Sequence, residues 1–345
     1  MAITTVLLAA LALAAPALAD KKAEKLVFAD EFDTLDEGKW VHQISAWRGG
    51  NQEFQFYRND RKNSYVRDGI LYIRPTLTAD EFGEDLVQHG NLTYPGCNME
   101  PCVSQSGEEI VLPIQSARLS TSGKFSFKYG RCDIRARLPR GDWIWPAMWL
   151  MPQKDKYGGW PRSGEIDLME SRGNANLKDS KGRYRGFQTT SSTLHFGPAW
   201  NRNRYDKAHV DNFMGDNETL ANDFHVYSLE WSEKGFRFLL DGKQYGEVPR
   251  PKGGFWKLGE FEGDNIWKDG NDMAPFDQEF YIILNVAVGG TFFSDDLQNS
   301  PYPRPYTLSS GRGMRQFWEK KDLWYPTWHG EKAALQVDYV RVYEH

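Results

Sequence analysis

Three acids lie within six residues, Glu165, Asp167 and Glu170 in the run Glu165-Ile166-Asp167-Leu168-Met169-Glu170, and they are the side chains best spaced for chemistry. On a regular strand Glu165 and Asp167 share one face while Glu170 falls on the other with Ile166 and Leu168. Glu170 would then be a buried carboxylate without a partner, which is costly. One extra residue in a β-bulge would absorb Leu168 or Met169 and turn Glu170 onto the face of the other two acids. The outer glutamates would stand roughly 13 Å apart along the backbone, and side chains leaning together would bring the carboxylates to about 5 Å. At that separation one carboxylate can attack an anomeric carbon while the other protonates the leaving oxygen, the double displacement of a retaining glycosidase. Crowded negative charge raises the proton affinity of at least one acid, so a proton stays available near neutral pH. A solvated acidic strand or a calcium site is the competing reading. Calcium loops mix carbonyl and carboxylate ligands, whereas Ile166 and Leu168 give this segment the pattern of a strand.

The elements that must hold these acids also read as strands. Phe125, Phe127 and Tyr129 alternate with polar residues, and after Gly130 the alternation resumes through Ile134, Ala136 and Leu138, which predicts two strands joined at a turn. Phe224 to Trp231, Phe236 to Leu240 and Gln244 to Val248, separated by Glu233-Lys234-Gly235 and Asp241-Gly242, describe a meander. Tyr281 to Val288 is an apolar run closed by Gly289-Gly290 and predicts a strand buried on both sides, and Leu335 to Tyr343 alternates again. No window of a dozen residues carries an apolar stripe at helical spacing, so an all-β sandwich is expected. The long aromatic-rich stretches Gly253 to Phe276 and Pro301 to Trp328 exceed simple connections and are expected to wall a cleft.

Composition narrows the partner. The net charge of -5 comes from interspersed acids and bases, which leaves no electrostatic footprint for nucleic acid or anionic membrane. Aromatics make up 14% of the chain, with 13 Trp, a supply of flat rings that suits the apolar faces of sugars. The apolar stretch Val6 to Ala15 followed by Ala17-Leu18-Ala19 and Asp20 has the form of a cleavable signal peptide, residues 1–19, and is shorter than the roughly 20 residues that span a bilayer. A secreted protein with one domain over residues 20–345 is expected. Cys97 and Cys102 close a short loop and are the expected disulfide, leaving Cys132 as a small buried side chain. Asn91 and Asn217 open N-glycosylation sequons.

With Glu-Ile-Asp-Leu-Met-Glu as its signature, the chain resembles glycoside hydrolase family 16, in the bulged form of the β-1,3-glucanases. The form without the residue at Met169 is that of lichenases. The resemblance runs over Gly50-Asn51-Gln52-Glu53-Phe54-Gln55-Phe56-Tyr57, Leu71 to Pro75, Trp145-Pro146-Ala147-Met148-Trp149-Leu150, Asn285 to Gly290 and Gln336 to Tyr343. The segments Glu170-Ser171-Arg172-Gly173-Asn174 and Phe317-Trp318 to Trp328 are most like the animal branch, which holds laminarinases and glucan-recognition proteins. The family implies a concanavalin A-like β-jelly-roll sandwich with a concave cleft for laminarin-type β-1,3-glucan. It also implies Glu165 as nucleophile, Asp167 as its assistant and Glu170 as acid/base. By the same resemblance Trp149 and Trp160 stack on sugars, Asn51 and Glu53 contact them in the donor subsites, and His195 stands near the reacting centre. No cofactor is required. Some members hold calcium on the convex face, where Glu31 and Asp338 fall in the matching segments.

Two rivals follow from the same branch. One is a non-catalytic glucan sensor of innate immunity, a group whose members lose catalytic acids and carry an extra glucan-binding domain. Both glutamates are present here, and the family segment Phe28-Ala29-Asp30-Glu31-Phe32 follows the expected signal peptide closely. The other is a glucanase with transglycosylase or mixed-linkage activity, since a sugar can intercept a retaining intermediate. The expectation is a monomeric endo-β-1,3-glucanase.

Overall fold

The computed structural model describes residues 24–216 and 218–344. The signal peptide, the start of the expected mature chain and Asn217 lie outside the described residues.

Alternation dictates the first sheet. In Gly130–Arg137 every second residue is buried, including Cys132, Ile134 and Ala136, while Arg131, Asp133, Arg135 and Arg137 stay partly exposed. This strand lies between His225–Ser232 and Leu335–Glu344. The meander His225–Ser232, Gly235–Leu240, Lys243–Pro249 extends the sheet on one side. Ile70–Ile73 and Ser64–Arg67 extend it on the other, and Lys25–Asp30 also pairs with Leu335–Glu344.

The second sheet has seven antiparallel strands in the order His209–Phe213, Thr189–His195, Glu165–Ser171, Ile144–Pro152, Phe280–Val288, Arg118–Ser120, Val41–His42. Met148, Leu150, Ile166, Leu168, Met169, Leu194, Ile282, Leu284 and Val286 are fully buried and belong to the same core as Cys132, Ile134, Leu229, Trp231, Phe238, Val340 and Val342 of the first sheet. Burying a side chain of this size contributes roughly 1.5–3 kcal/mol, so the facing layers fix the sandwich. The result is the expected all-β jelly roll. Cys97 and Cys102 form the expected disulfide, and Cys132 is free and buried. Among the described residues no helix is long and apolar enough to cross a membrane.

The acid-bearing strand breaks its alternation where the sequence demands it. Against Thr189–His195, Asp167 pairs with Thr193 and Glu170 with Ser191, so three steps on one strand match two on the other. Against Ile144–Pro152, Asp167 pairs with Trp149, Met169 with Met148 and Glu170 with Ala147, which leaves Leu168 as the unpaired residue. Leu168 and Met169 are consecutive and both fully buried, and Glu170 returns to the face of Asp167. The carbonyl of Leu168 accepts a hydrogen bond from Ser192 Oγ at 2.6 Å, and Ser192 Oγ lies 2.6 Å from the Tyr245 hydroxyl of the opposite sheet. With its proton given to Leu168, Ser192 must accept from Tyr245.

Three details differ from the sequence reading. Residues 124–129 make no ladder strand: Phe127 forms an isolated bridge to Phe280, and Tyr129 turns the chain with φ +66°. Phe125 stacks on Phe28, so the alternation there records aromatic packing. The long stretches contain short helices, Gly254–Leu258, Gly313–Glu319 and Lys321–Trp324, each under two turns and so without a legible stripe. They buttress the loops beneath them: Phe255 packs on Phe196, and Phe317 on Phe54. The two acids read as a calcium position do not fit one as they stand. Glu31 takes both Nε and Nη2 of Arg341 at 2.8 Å, and Asp338 is paired with Arg135.

The bulge therefore hangs on Ser192. Ser192→Ala strands the Leu168 carbonyl in the core and should cost about 1–3 kcal/mol in urea unfolding. Tyr245→Phe, which leaves the Ser192 to Leu168 bond intact, should cost less.

Candidate active site

The bulge collects Glu165, Asp167 and Glu170 on the outward face of the seven-stranded sheet, between Trp145, Ala147 and Trp149 on one neighbouring strand and Ser191, Thr193 and His195 on the other. Glu165 pairs across the ladder with His195. His195 Nε2 lies 3.6 Å from Glu165 Oε1 and 3.0 Å from Asp167 Oδ2. The second contact is short but poorly aligned, because Asp167 Oδ2 has no hydrogen-bond partner of good geometry. Donor atoms of Glu165, Asp167 and His195 all fall within 4.8 Å of one another. Trp160 engages Glu165 through Oε2, and Asn203 engages His195 through Nδ1, which leaves Glu165 Oε1, Asp167 Oδ2 and His195 Nε2 facing one another.

Each outer glutamate is held by an indole. Trp160 Nε1 donates to Glu165 Oε2 at 2.9 Å, and Trp145 Nε1 to Glu170 Oε1 at 3.1 Å. Hydrogen bonds tie the Trp160 turn to itself and to Trp267. Ser163 Oγ accepts from Tyr157 N and donates to Gly158 O, and Trp267 Nε1 donates to Arg162 O. Gly164, with φ +85°, leads into the strand where any Cβ would lie 2.8 Å from the Phe276 ring. Trp160 itself stays 43% exposed, which leaves a ring free beside Glu165. Trp145 is stacked at 4.2 Å on Phe292, and the Arg172 guanidinium covers Phe292 at 3.7 Å.

Burial raises the proton affinity of all three acids. For Glu170 burial acts first and the Asp167 charge second, and together they push it up to about 7 against the opposing pull of His195 and Arg172. Asp167 is pushed up to about 6 by burial and by Glu165. Glu165 is raised by burial and also by Glu170, with His195 pulling it down. The site can thus hold a proton on Glu170 at a pH where a neighbouring acid is ionised.

The remaining residues singled out from sequence sit beside this cluster. Trp149 donates Nε1 to Asn285 Oδ1 at 2.6 Å, and Arg118 covers its ring at 4.5 Å, so its edge and one face are in use. Glu53 is buried and accepts from Gln55 Nε2 at 2.5 Å, and burial raises its proton affinity. Asn51 ties its own loop to Gly49 O and Thr291 Oγ1. Arg118 links the two groups electrically, acting on both Glu53 and Glu165. Sequence reading missed Arg118, Trp145 and Asn203 as site residues. Trp145 had a signal, since it shares the two-residue period of Trp149.

Comparison with known proteins places the family and the fold. A model of glycosyl hydrolases family 16 matches residues 98–255. A β-1,3-glucan-binding protein of Penaeus monodon is 42% identical over 341 residues, covering 92% of this chain and 90% of that protein. The chain belongs to glycosyl hydrolase family 16. Gram-negative bacteria-binding protein 1 of Drosophila melanogaster is 34% identical over 92% of this chain, which spans 64% of that relative's length. The laminarinase of Rhodothermus marinus shares the fold with a TM-score of 0.60 and 30% identity, covering 93% of this chain and 98% of that one. Length therefore does not separate the two kinds of family member, because the shrimp protein named for binding matches this chain almost end to end. The chemistry of the acid strand has to separate them.

The same electrostatics fix a stability effect. Glu170 binds its proton more tightly folded, at about 7, than at the ordinary 4.5, so ionising it destabilises the fold as pH rises through that window. Glu170→Gln should raise the melting temperature by a few degrees at about pH 8, and the gain should vanish at about pH 4. The Trp145 hydrogen bond survives the change, because the glutamine carbonyl still accepts.

Proposed function

We propose that this protein is a retaining endo-β-1,3-glucanase acting on laminarin-type glucans. The observation that carries the reading is the pair of indole-held glutamates on one face of a bulged strand, in a chain of this family. Glu165, ionised, attacks C1 of the sugar on the donor side while Glu170 gives its proton to the departing oxygen. Glu170, now a carboxylate, takes a proton from water as that water attacks C1 and frees Glu165. Asp167 raises Glu170 between these steps, and Trp160 offers an open ring for a sugar face beside the nucleophile. No metal or cofactor enters either step.

Several companion assignments belong to this reading. Residues 20–345 act as one catalytic unit, released to the cell exterior after loss of residues 1–19 and working as a monomer. The Cys97–Cys102 disulfide supports an oxidising compartment. Asn91 is exposed on the short strand Asn91–Thr93 and accessible to glycosylation. The alternative is a non-catalytic glucan binder, favoured by the name of the Penaeus monodon relative.

Product analysis separates the two. The purified protein should cut laminarin into short oligosaccharides whose first-formed anomer, by proton NMR, is β. A binder releases nothing, and an α-anomer would remove the retaining mechanism. Glu165→Ala and Glu170→Ala should each fold, still bind glucan and lose roughly 10²- to 10⁴-fold in turnover. Azide should rescue Glu165→Ala as an α-glycosyl azide. With an activated leaving group it should rescue Glu170→Ala as the β-azide.

The pH profile has a defined sign. The nucleophile must be ionised and the acid protonated, so kcat/KM should fall as pH rises through about 7, where Glu170 loses its proton. Asp167→Asn removes the charge that, after burial, does most to raise Glu170, and the basic limb should move to lower pH. A limb that stayed in place would remove Asp167 from this role.

A further inference from the structure

His195 stands against the acid cluster, and its protonation state controls how much positive charge that cluster feels. Behind its ring lies Asn203, in the loop that follows the strand. Asn203 Oδ1 accepts the backbone N–H of Phe196 at 3.2 Å, and Asn203 Nδ2 lies 2.7 Å from His195 Nδ1. A backbone N–H can only donate, so it fixes which end of the amide is oxygen and turns the NH₂ toward the ring. The NH₂ can only donate as well. His195 Nδ1 must then accept with its lone pair, and the single ring proton resides on Nε2, the atom facing Asp167 and Glu165.

We propose that Asn203 is a positioning residue that holds His195 as the neutral Nε2–H tautomer, so the acids meet a dipole there and not a full positive charge. This deepens the hydrolase reading and rests on it. The groups facing His195 are Glu165, Asp167 and Glu170 from the acid strand, Trp160 from the turn before it, and the Tyr205 ring from its own loop at 5.5 Å. Burial opposes a charge on the ring, while Glu165 and then Asp167 draw the imidazole toward a second proton. That proton has only Nδ1 to bind, where the Asn203 amide already points a hydrogen. The consequence reaches the chemistry. An imidazolium 3.6 Å from Glu165 would blunt the nucleophile, and positive charge on His195 pulls Glu170 down, away from holding its catalytic proton. Sequence gave no warning of this residue, which lies in an irregular loop eight positions beyond the histidine.

Asn203→Asp tests the idea with almost no change of shape. One carboxylate oxygen still accepts from Phe196 N–H, while the other now faces Nδ1 as an acceptor and invites a proton there. In full-length protein with ¹⁵N-labelled histidine, the His195 signal is assigned by its loss in His195→Gln. At neutral pH the parent should show a pyridine-type Nδ1 and a pyrrole-type Nε2. Asn203→Asp should show a protonated Nδ1, a kcat on laminarin lower by roughly tenfold or more with little change in KM, and a basic limb displaced to lower pH. A protonated Nδ1 in the parent would overturn the proposal. So would an Asn203→Asp protein that titrates and turns over like the parent. The NMR arm needs no turnover, so a failure of the hydrolase reading would be seen separately as absence of cleavage in the parent.

Discussion

A strand that must carry three acids on one face cannot keep a two-residue period across Asp167-Leu168-Met169-Glu170, and the bulge at Leu168 is how this chain meets that constraint. Without it Glu170 would enter a core of Leu150, Ile166 and Leu194, where an unpaired carboxylate is costly. With it two consecutive apolar side chains are buried and the third acid is delivered outward. The extra residue disturbs the ladder, and the disturbance is absorbed locally by Ser192, backed by Tyr245 from the other sheet. The distant meander strand Lys243–Pro249 thereby helps fix the geometry of the site.

Placing the acids together creates a second constraint, which is charge. Burial and mutual repulsion push protons onto the cluster, and the groups around it divide them. Trp160 and Trp145 each donate one hydrogen bond to an outer glutamate, which orients it without supplying a full charge. Arg172 and Arg118 supply charge from the periphery, where each guanidinium is stacked over an aromatic ring. Burial and mutual repulsion raise all three acids, and a site that needs one acid protonated beside another ionised requires that.

Much of this was legible in the sequence because it follows from short periods. The meander, the buried Phe280–Val288 strand and the last strand were visible as alternation or as an apolar run. The bulge was visible because alternation failed at a residue too costly to bury. The misread segment, 124–129, alternates for a different reason, since Phe125 and Phe127 pack as rings and not as members of a ladder. Short helices were illegible because four to seven residues do not complete a periodic stripe. In the site, the acids, His195 and Trp160 lie together. Trp149 and Asn51 proved more tied to their own surroundings than their chemistry suggested. Asn203 and Arg118 carried no signal because their meaning depends on which loop or strand lies opposite, and a single sequence does not record that.

The proposed double displacement requires Glu165 to form the bond to sugar. Incubating the protein with a 2-deoxy-2-fluoro β-laminaribiosyl fluoride slows release of any covalent intermediate, and peptide mapping by mass spectrometry then locates it. One glycosyl group per chain on Glu165 is the result predicted here. A label on Glu170 or Asp167, or no label on a protein that nonetheless cleaves laminarin, would contradict it.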